Sequence, residues 1–160
     1  MRDSRVQRGF TYIEVVATLA IIAVLTSIVL PLAETSAQRK KEEDLRLALR
    51  QIRGALDAYR QVGDEGRIVR RMGDSGYPAN LQVLVDGVVD AKNPAGARIY
   101  FLRRMPRDPL YPDLAVAPVR TWGKRSYASP PDAPREGDDV FDVYSMNPGT
   151  GLNGIRYREW

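Results

Sequence analysis

The segment that decides the fold is GFTYIEVVATLAIIAVLTSIVLPLA, Gly9 to Ala33. From Val15 onward it contains nineteen residues without a charge. At about 1.5 Å of rise per residue, such a helix spans roughly 28 Å, close to the thickness of the hydrocarbon core of a bilayer. The eight residues before the segment carry three arginines and one aspartate. The positive-inside rule therefore predicts a cytoplasmic N-terminus, with the chain after Ala33 on the other side of the membrane.

Three interpretations of this apolar segment compete on the residues alone: a cleaved secretory signal, a plain membrane anchor and an assembly helix. A secretory signal has a shorter apolar core and then a small-residue cleavage site, for which Thr35-Ser36-Ala37 is a poor match. Neither the signal nor the anchor explains Glu14, an acidic residue at the threshold of the run. A carboxylate in lipid is costly unless it finds a partner, so Glu14 is a candidate functional residue.

The Gly9-Phe10 pair offers such a partner. If the chain were cut after Gly9, the new α-amino group of Phe10 would be a cation four residues from Glu14. The amine and the carboxylate could meet within one chain or between neighbouring chains. Each would then offset the cost of removing the other from water.

The sequence around this pair, GFTYIEV from Gly9 to Val15, closely resembles the class III signal sequence of type IV prepilins and type II secretion pseudopilins. Tyr12 and Val15 are mild departures from the usual GFTLIEL. Five features occur in register: a short basic leader, the Gly-Phe junction, a glutamate fifth from that junction, an apolar helix, and a proline, Pro31, where the family commonly carries one.

This resemblance implies a role for each of these residues. Prepilin peptidase would remove residues 1–9 by cutting between Gly9 and Phe10, and would then methylate the Phe10 amine. Glycine suits the cleavage site because it lets a protease approach the backbone closely. Glu14 would pair with the Phe10 amine of an adjacent subunit and set the register of assembly, which is a structural role. Pro31 would kink the helix.

An amphipathic continuation of the helix follows, from 34 to 62. We expect one helix from about Phe10 to Val62, ended by Gly63. The mixed charges from Arg39 to Asp44 predict a solvated face. Apolar side chains recur three and four residues apart and predict a buried stripe. The stripe consists of Leu45, Ala48, Leu49, Ile52, Ala55, Leu56 and Tyr59.

The stripe needs a cover, which must come from residues 63–160. There, the pattern of Ala79–Val89 predicts a short helix, and apolar alternation predicts three or four short antiparallel strands. A small antiparallel sheet laid across one long helix is an α+β fold, of the type IV pilin-like kind by resemblance. The candidate strands are Ile99 to Met105, Arg120 to Ala128, Val140 to Met146 and, at an edge, Ile155 to Trp160.

A second resemblance, to the major or G-type pseudopilin of type II secretion, covers most of this part. In that family the pieces that correspond to Met105–Pro109 and Trp122–Gly123 normally adjoin. Here Leu110–Thr121 separates them, like an inserted loop. The matching pieces keep their order and approximate spacing. They are Asp74–Pro78 with Leu81, Leu84 and Val85, then Met105–Pro109, Trp122–Gly123 with Tyr127, and Phe141–Ser145.

G-type subunits of that family hold a calcium ion in their last loop, with aspartates and backbone carbonyls. Calcium takes about six to eight oxygen ligands, usually including carboxylates. Here Asn147 to Arg158 contains no acidic residue, so we expect no calcium site of the family type and no other cofactor. Asn147 and Asn153 are expected to supply neutral contacts in this turn. Asp138 and Asp139 predict a solvated turn and not a metal site.

Composition excludes several classes of chemistry. The 160 residues include no cysteine and no histidine, which excludes disulfides, thiolate nucleophiles, Cys/His zinc sites and an imidazole base. No nucleophile accompanies the acidic pairs Glu42-Glu43 and Asp138-Asp139, so no catalytic residue is assigned and no enzyme is expected. Lys and Arg number 24 against 20 Asp and Glu, too even a balance to predict nucleic-acid binding.

The leading hypothesis is a structural subunit of a periplasmic pseudopilus in a type II secretion machine, held in the bacterial inner membrane before assembly. Its parts would be a leader 1–9, an apolar assembly helix 10–33, an amphipathic helix 34–62 and a periplasmic part 63–160. Its partners would be prepilin peptidase, the inner-membrane assembly platform, other pseudopilins and copies of itself.

Two alternatives stay open: a type IV pilin for adhesion, motility or DNA uptake, and a membrane-anchored periplasmic binding domain. Many true pilins carry a disulfide loop, which this cysteine-free chain cannot form. That difference favours a pseudopilin by family analogy.

Overall fold

The computed structural model of the protein describes residues 11–160, leaving out the side chains at positions 28 and 30. The predicted leader 1–9 and the cleavage site at Gly9 and Phe10 therefore lie outside the described residues. The chain forms two compact units, one that ends at Lys40 and one that begins at the next residue.

From Tyr12 onward, the first unit is helical. Helix α1 runs from Tyr12 to Asp64, 53 residues, and so continues into the second unit. Thr11 caps its start, because the threonine side-chain oxygen accepts a hydrogen bond from the backbone N–H of Glu14 at 3.3 Å. Pro31 lies inside the helix and does not end it. The kink assigned to Pro31 stays a prediction.

Gly66, and not Gly63, ends α1. The N–H of Gly66 bonds to the carbonyl of Gly63 at 3.0 Å, and the N–H of Arg67 bonds to the carbonyl of Val62 at 3.1 Å. These bonds form a Schellman motif, with Gly66 at a φ of +71° that favours glycine. A β-carbon at Gly63 would require the guanidinium end of the flexible Arg70 side chain to move. The predicted end at Gly63 is wrong because the helix continues to Asp64 and ends where Gly66 adopts the left-handed conformation.

The second unit buries the predicted stripe of α1. The leucines, alanines and isoleucine of the stripe are at most 5% exposed, and Tyr59 packs against them partly buried. This confirms that residues 63–160 cover the stripe, and burial of apolar surface is the main favourable term in such a fold. The covering residues of the core are Leu81, Leu84, Trp122, Val140, Val143 and Tyr157.

Four short strands lie within the described residues, and they pair antiparallel as predicted. They form two separate pairs instead of one sheet. The α+β class and the pilin-like combination of a long helix with small antiparallel pairing are confirmed. Strand β1 (Val88–Val89) pairs with β2 (Arg98–Ile99), and β3 (Trp122–Arg125) pairs with β4 (Asp142–Ser145).

Turns shorten several predicted elements. Helix α2 covers only Val83–Asp86, since Gly87 at a φ of +72° ends it and the next two residues form β1. Strand β3 starts only after a 3-10 turn at Pro118–Arg120. Phe101 and Met105 pack against the core outside β2.

The predicted edge strand from Ile155 to Trp160 is wrong. Tyr157–Glu159 forms a 3-10 turn, and the pairing of this region is a single bridge between Thr150 and Arg156. Tyr157 is 4% exposed and belongs to the core. The apolar residues of this stretch therefore reflect core packing and not strand pairing.

Leu45 and Leu47 provide a matched test of this core, because they are 0% and 48% exposed on the same helix. We expect Leu45→Ala to lower the free energy of unfolding by about 2–5 kcal/mol, the usual cost of a cavity at a buried leucine. Leu47→Ala is expected to cost less than about 1 kcal/mol. Urea unfolding of the detergent-solubilised full-length protein, followed by tryptophan fluorescence, measures both. Equal losses would contradict the described core.

Candidate functional site

The apolar part of α1 is exposed in the isolated chain. Its most apolar window has a mean hydropathy of 2.6, and none of that window is buried. By length and composition, α1 is the one helix among the described residues that could cross a membrane. Tyr12, Ile13 and Leu32 are each at least 67% exposed. A contiguous apolar surface of this kind requires lipid or other helices to cover it.

Glu14 lies in the first turn of α1. Its backbone is engaged by Thr11 and by Thr18, whose hydroxyl donates to the Glu14 carbonyl at 3.0 Å. Within residues 11–160, no side chain pairs with the Glu14 carboxylate. The start of a helix favours a negative charge, but any salt-bridge partner must come from residues 1–10 or from another molecule.

Three of the pieces that carry the second resemblance meet in the second unit. The Ser145 hydroxyl in β4 donates to the Asp108 carboxylate at 2.6 Å. The Trp122 indole N–H in β3 donates to the Pro106 carbonyl at 2.9 Å. Trp122 and Ser145 are partners across β3 and β4. Pieces that are separate in the sequence therefore form one cluster.

The inserted loop Leu110–Thr121 leaves that cluster and returns to it. The N–H of Asp108 donates to the Thr121 hydroxyl at 3.1 Å, so the elements on either side of the loop are adjacent in space. Arg107, which precedes the loop, supports it by donating to the Val116 carbonyl at 2.7 Å. The insertion therefore preserves the contact between its flanking elements.

The Asp108 carboxyl group lies at the centre of this cluster and is 0% exposed. It accepts hydrogen bonds from the Ser145 hydroxyl and, at 2.8 Å, from the N–H of Leu110. Burial raises the pKa of Asp108 above its usual value of 3.8, and these two hydrogen bonds only partly oppose the shift. The arrangement fastens the turn at Asp108 to β4.

Arg53 joins α1 to β4 and to the last residues of the chain. Its Nε donates to the Asp142 carboxylate at 2.7 Å, and a terminal nitrogen donates to the carbonyls of Val143 at 3.1 Å and Trp160 at 2.7 Å. Both ionic side chains are partly exposed, so the ion pair itself contributes little stability. Its larger effect is to bring three segments together.

Glu42 is the candidate residue that the sequence analysis missed. It is 3% exposed, although its charged segment is predicted to be solvated and its neighbour Glu43 is exposed. One carboxylate oxygen accepts hydrogen bonds from the N–H of Leu152 and the hydroxyl of Tyr157, both at 2.9 Å. The spacing carried a signal, because Glu42 lies three residues before Leu45 and continues the buried stripe.

Asp138 and Asp139 differ in their surroundings. Asp138 is exposed, as predicted, whereas Asp139 accepts a hydrogen bond from the N–H of Tyr127 at 3.0 Å. Burial would raise the pKa of Asp139, but hydrogen bonds from the Ser126 and Ser75 hydroxyls and from Tyr127 outweigh burial and lower it. Asp139 therefore lies in the same bend as Asp138 but is only partly exposed and is held by hydrogen bonds. Among the described residues, no group of three or more acidic side chains is placed to hold a metal ion.

Known proteins resemble this chain both in its N-terminal segment and over most of its length. Residues 4–30 match the family described as the prokaryotic N-terminal methylation motif. The type II secretion system core protein G of Klebsiella pneumoniae is 28% identical over 140 residues, which cover 84% of this chain and 92% of that protein. The protein of the same name from Dickeya chrysanthemi is 26% identical over 155 residues, which cover 94% of each chain. No solved structure matches the chain.

The raised pKa of Asp108 predicts a pH dependence of stability. The carboxyl group contributes stability that is complete below its unfolded pKa near 3.8 and is lost as the pH rises through the higher folded value. We expect the wild type to lose stability relative to Asp108→Asn over that interval and then to level off. Urea unfolding of both full-length proteins across pH measures the difference. A difference that grows in favour of the wild type with rising pH would contradict the assigned surroundings.

Proposed function

We infer that this chain belongs to the family of the type II secretion core protein G and is a structural subunit of the pseudopilus. One combination carries this conclusion: the N-terminal methylation motif stands at the start of a chain that resembles core protein G over 84% to 94% of its length. Type II secretion is favoured over a type IV pilus because these relatives carry that name.

Assembly would exchange one apolar environment of α1 for another. In the membrane, lipid covers the exposed apolar part of the helix. In a filament, the same parts of neighbouring helices cover it through close packing. The second unit already buries its own stripe, so it would supply the outer surface of the filament. The proposed role of the subunit is mechanical and requires no catalytic residue.

The proposed location follows from the charges that flank the apolar segment. The basic leader stays in the cytoplasm, and the second unit lies in the periplasm. The subunit would be held in the inner membrane until the assembly platform extracts it. Prepilin peptidase, that platform and other pseudopilins are its proposed partners.

Glu14 would set the register between subunits. Its carboxylate has no partner within residues 11–160, and the Phe10 amine of an adjacent subunit would supply the missing positive charge. Two opposite charges that leave water together offset part of each other's desolvation cost. A subunit shifted along the filament would leave both charges unpaired.

Maturation provides the first test of this function. The intact mass of the protein extracted from its native membranes is expected to lack residues 1–9 and to include one added methyl group. Gly9→Val should leave the leader in place, because a branched side chain hinders approach of the peptidase to the backbone. A native protein that still begins at Met1, or that begins after Ala37, would instead support an anchored or exported domain.

The charge of Glu14 provides the second test. Glu14→Gln keeps a side-chain oxygen of similar size but removes the charge, so we expect the variant to remain in the membrane and fail to form filaments. Glu34→Ala, an exposed acid on the same helix, is the matched control and should assemble. Sedimentation and electron microscopy of filaments from cells that express the secretion system measure the outcome. Normal filaments of Glu14→Gln would exclude the charge pairing.

A further inference from the structure

Glu42 fastens the last loop of the chain, residues 147–160, to α1. The loop reaches it through the Leu152 N–H and the Tyr157 hydroxyl, each 2.9 Å from the same carboxylate oxygen. Glu42 is 3% and Tyr157 is 4% exposed, so their hydrogen bond is buried, whereas the bond from Leu152 is partly buried. Hydrogen bonds to an ionised group are stronger than bonds between neutral groups, and burial strengthens them further.

Two arginines of α1 hold the end of the same loop. Arg53 donates to the Trp160 carbonyl at 2.7 Å. The guanidinium of Arg46 lies 4.3 Å from the centre of the Trp160 ring. That ring packs edge-on against Tyr157, with 5.1 Å between ring centres. The helix therefore holds the loop at two places, through a carboxylate and through two guanidinium groups.

The loop does not fit the calcium ion that the family resemblance implies. Residues 147–158 contain no acidic side chain, and Glu159, near the end of the loop, is exposed. The side-chain oxygens of Asn147 and Asn153 already accept hydrogen bonds from backbone N–H groups two residues ahead, at 2.8 and 3.1 Å. The Glu42 oxygen that reaches the loop faces an N–H and an O–H, whose hydrogens would repel a cation. Calcium requires about six to eight oxygens that are free to bind it.

We propose that the Glu42 carboxylate takes the place of a metal ion in this loop, so that the loop folds without calcium. A calcium ion inside the loop would be bound by oxygen atoms of the loop. Here a carboxylate on the helix instead accepts hydrogen bonds from an N–H and an O–H group of the loop. The proposal concerns the fold of residues 147–160, so it stands or fails separately from the proposed function in secretion.

Calcium dependence is the first test. Thermal unfolding of the detergent-solubilised full-length protein is measured after EDTA treatment, with excess calcium chloride and with excess magnesium chloride. The proposal expects the same Tm in all three buffers, because a ligand that does not bind the native state cannot stabilise it. A Tm that rises with calcium and not with magnesium overturns the proposal.

Removal of the carboxylate is the second test. Glu42→Ala is expected to lower the Tm by about 5 °C or more and to speed amide hydrogen exchange in residues 147–160 more than in β3 and β4. Glu43→Ala removes the adjacent exposed carboxylate and should match the wild type in both measurements. Exchange of the loop at the wild-type rate in Glu42→Ala overturns the proposal.

Tyr157→Phe keeps the test decisive if Glu42→Ala does not fold. This variant removes only the hydroxyl that donates to Glu42 and keeps the buried ring. We expect a smaller fall in Tm, with faster exchange again confined to residues 147–160. Exchange in that loop at the wild-type rate would overturn the proposal.

Discussion

The burial of one stripe of α1 is the interaction on which the second unit depends. The helix supplies six of the twelve buried residues of its core. The remaining secondary structure there consists mainly of two two-stranded pairs and short turns. Isolated two-stranded pairs are marginally stable in water, so β3 and β4 require the helix beneath them as much as the helix requires their cover.

Polar contacts decide which segment lies where around that core. Apolar burial is not directional, whereas a buried carboxylate needs particular donors at particular positions. The Asp108 carboxylate accepts a hydrogen bond from Ser145 and so positions β4. The Glu42 carboxylate accepts one from Tyr157 and so positions the last loop. The contacts of Asp108 with Ser145 and Thr121 also hold together the elements on either side of the inserted loop.

The two units differ in what covers their apolar surface. The second unit buries its apolar stripe within a single chain. The apolar part of α1 leaves its side chains exposed, so its cover must come from lipid or from other molecules. One unit therefore buries its own apolar stripe, and the other needs apolar cover from outside the chain. This combination suits a subunit that moves from a membrane into a filament.

Periodicity and length are local properties of a chain, so they were sufficient to predict the long helix, its apolar and amphipathic halves, the stripe and the α+β class. The sequence also located β3 and β4, although not their exact bounds. Local patterns did not specify that the Arg70 guanidinium would lie against Gly63, or which groups would surround the Glu42 carboxylate. The carboxylate of Glu42 meets a hydroxyl 115 residues away, and no local pattern specifies which distant group will remove a charge from water.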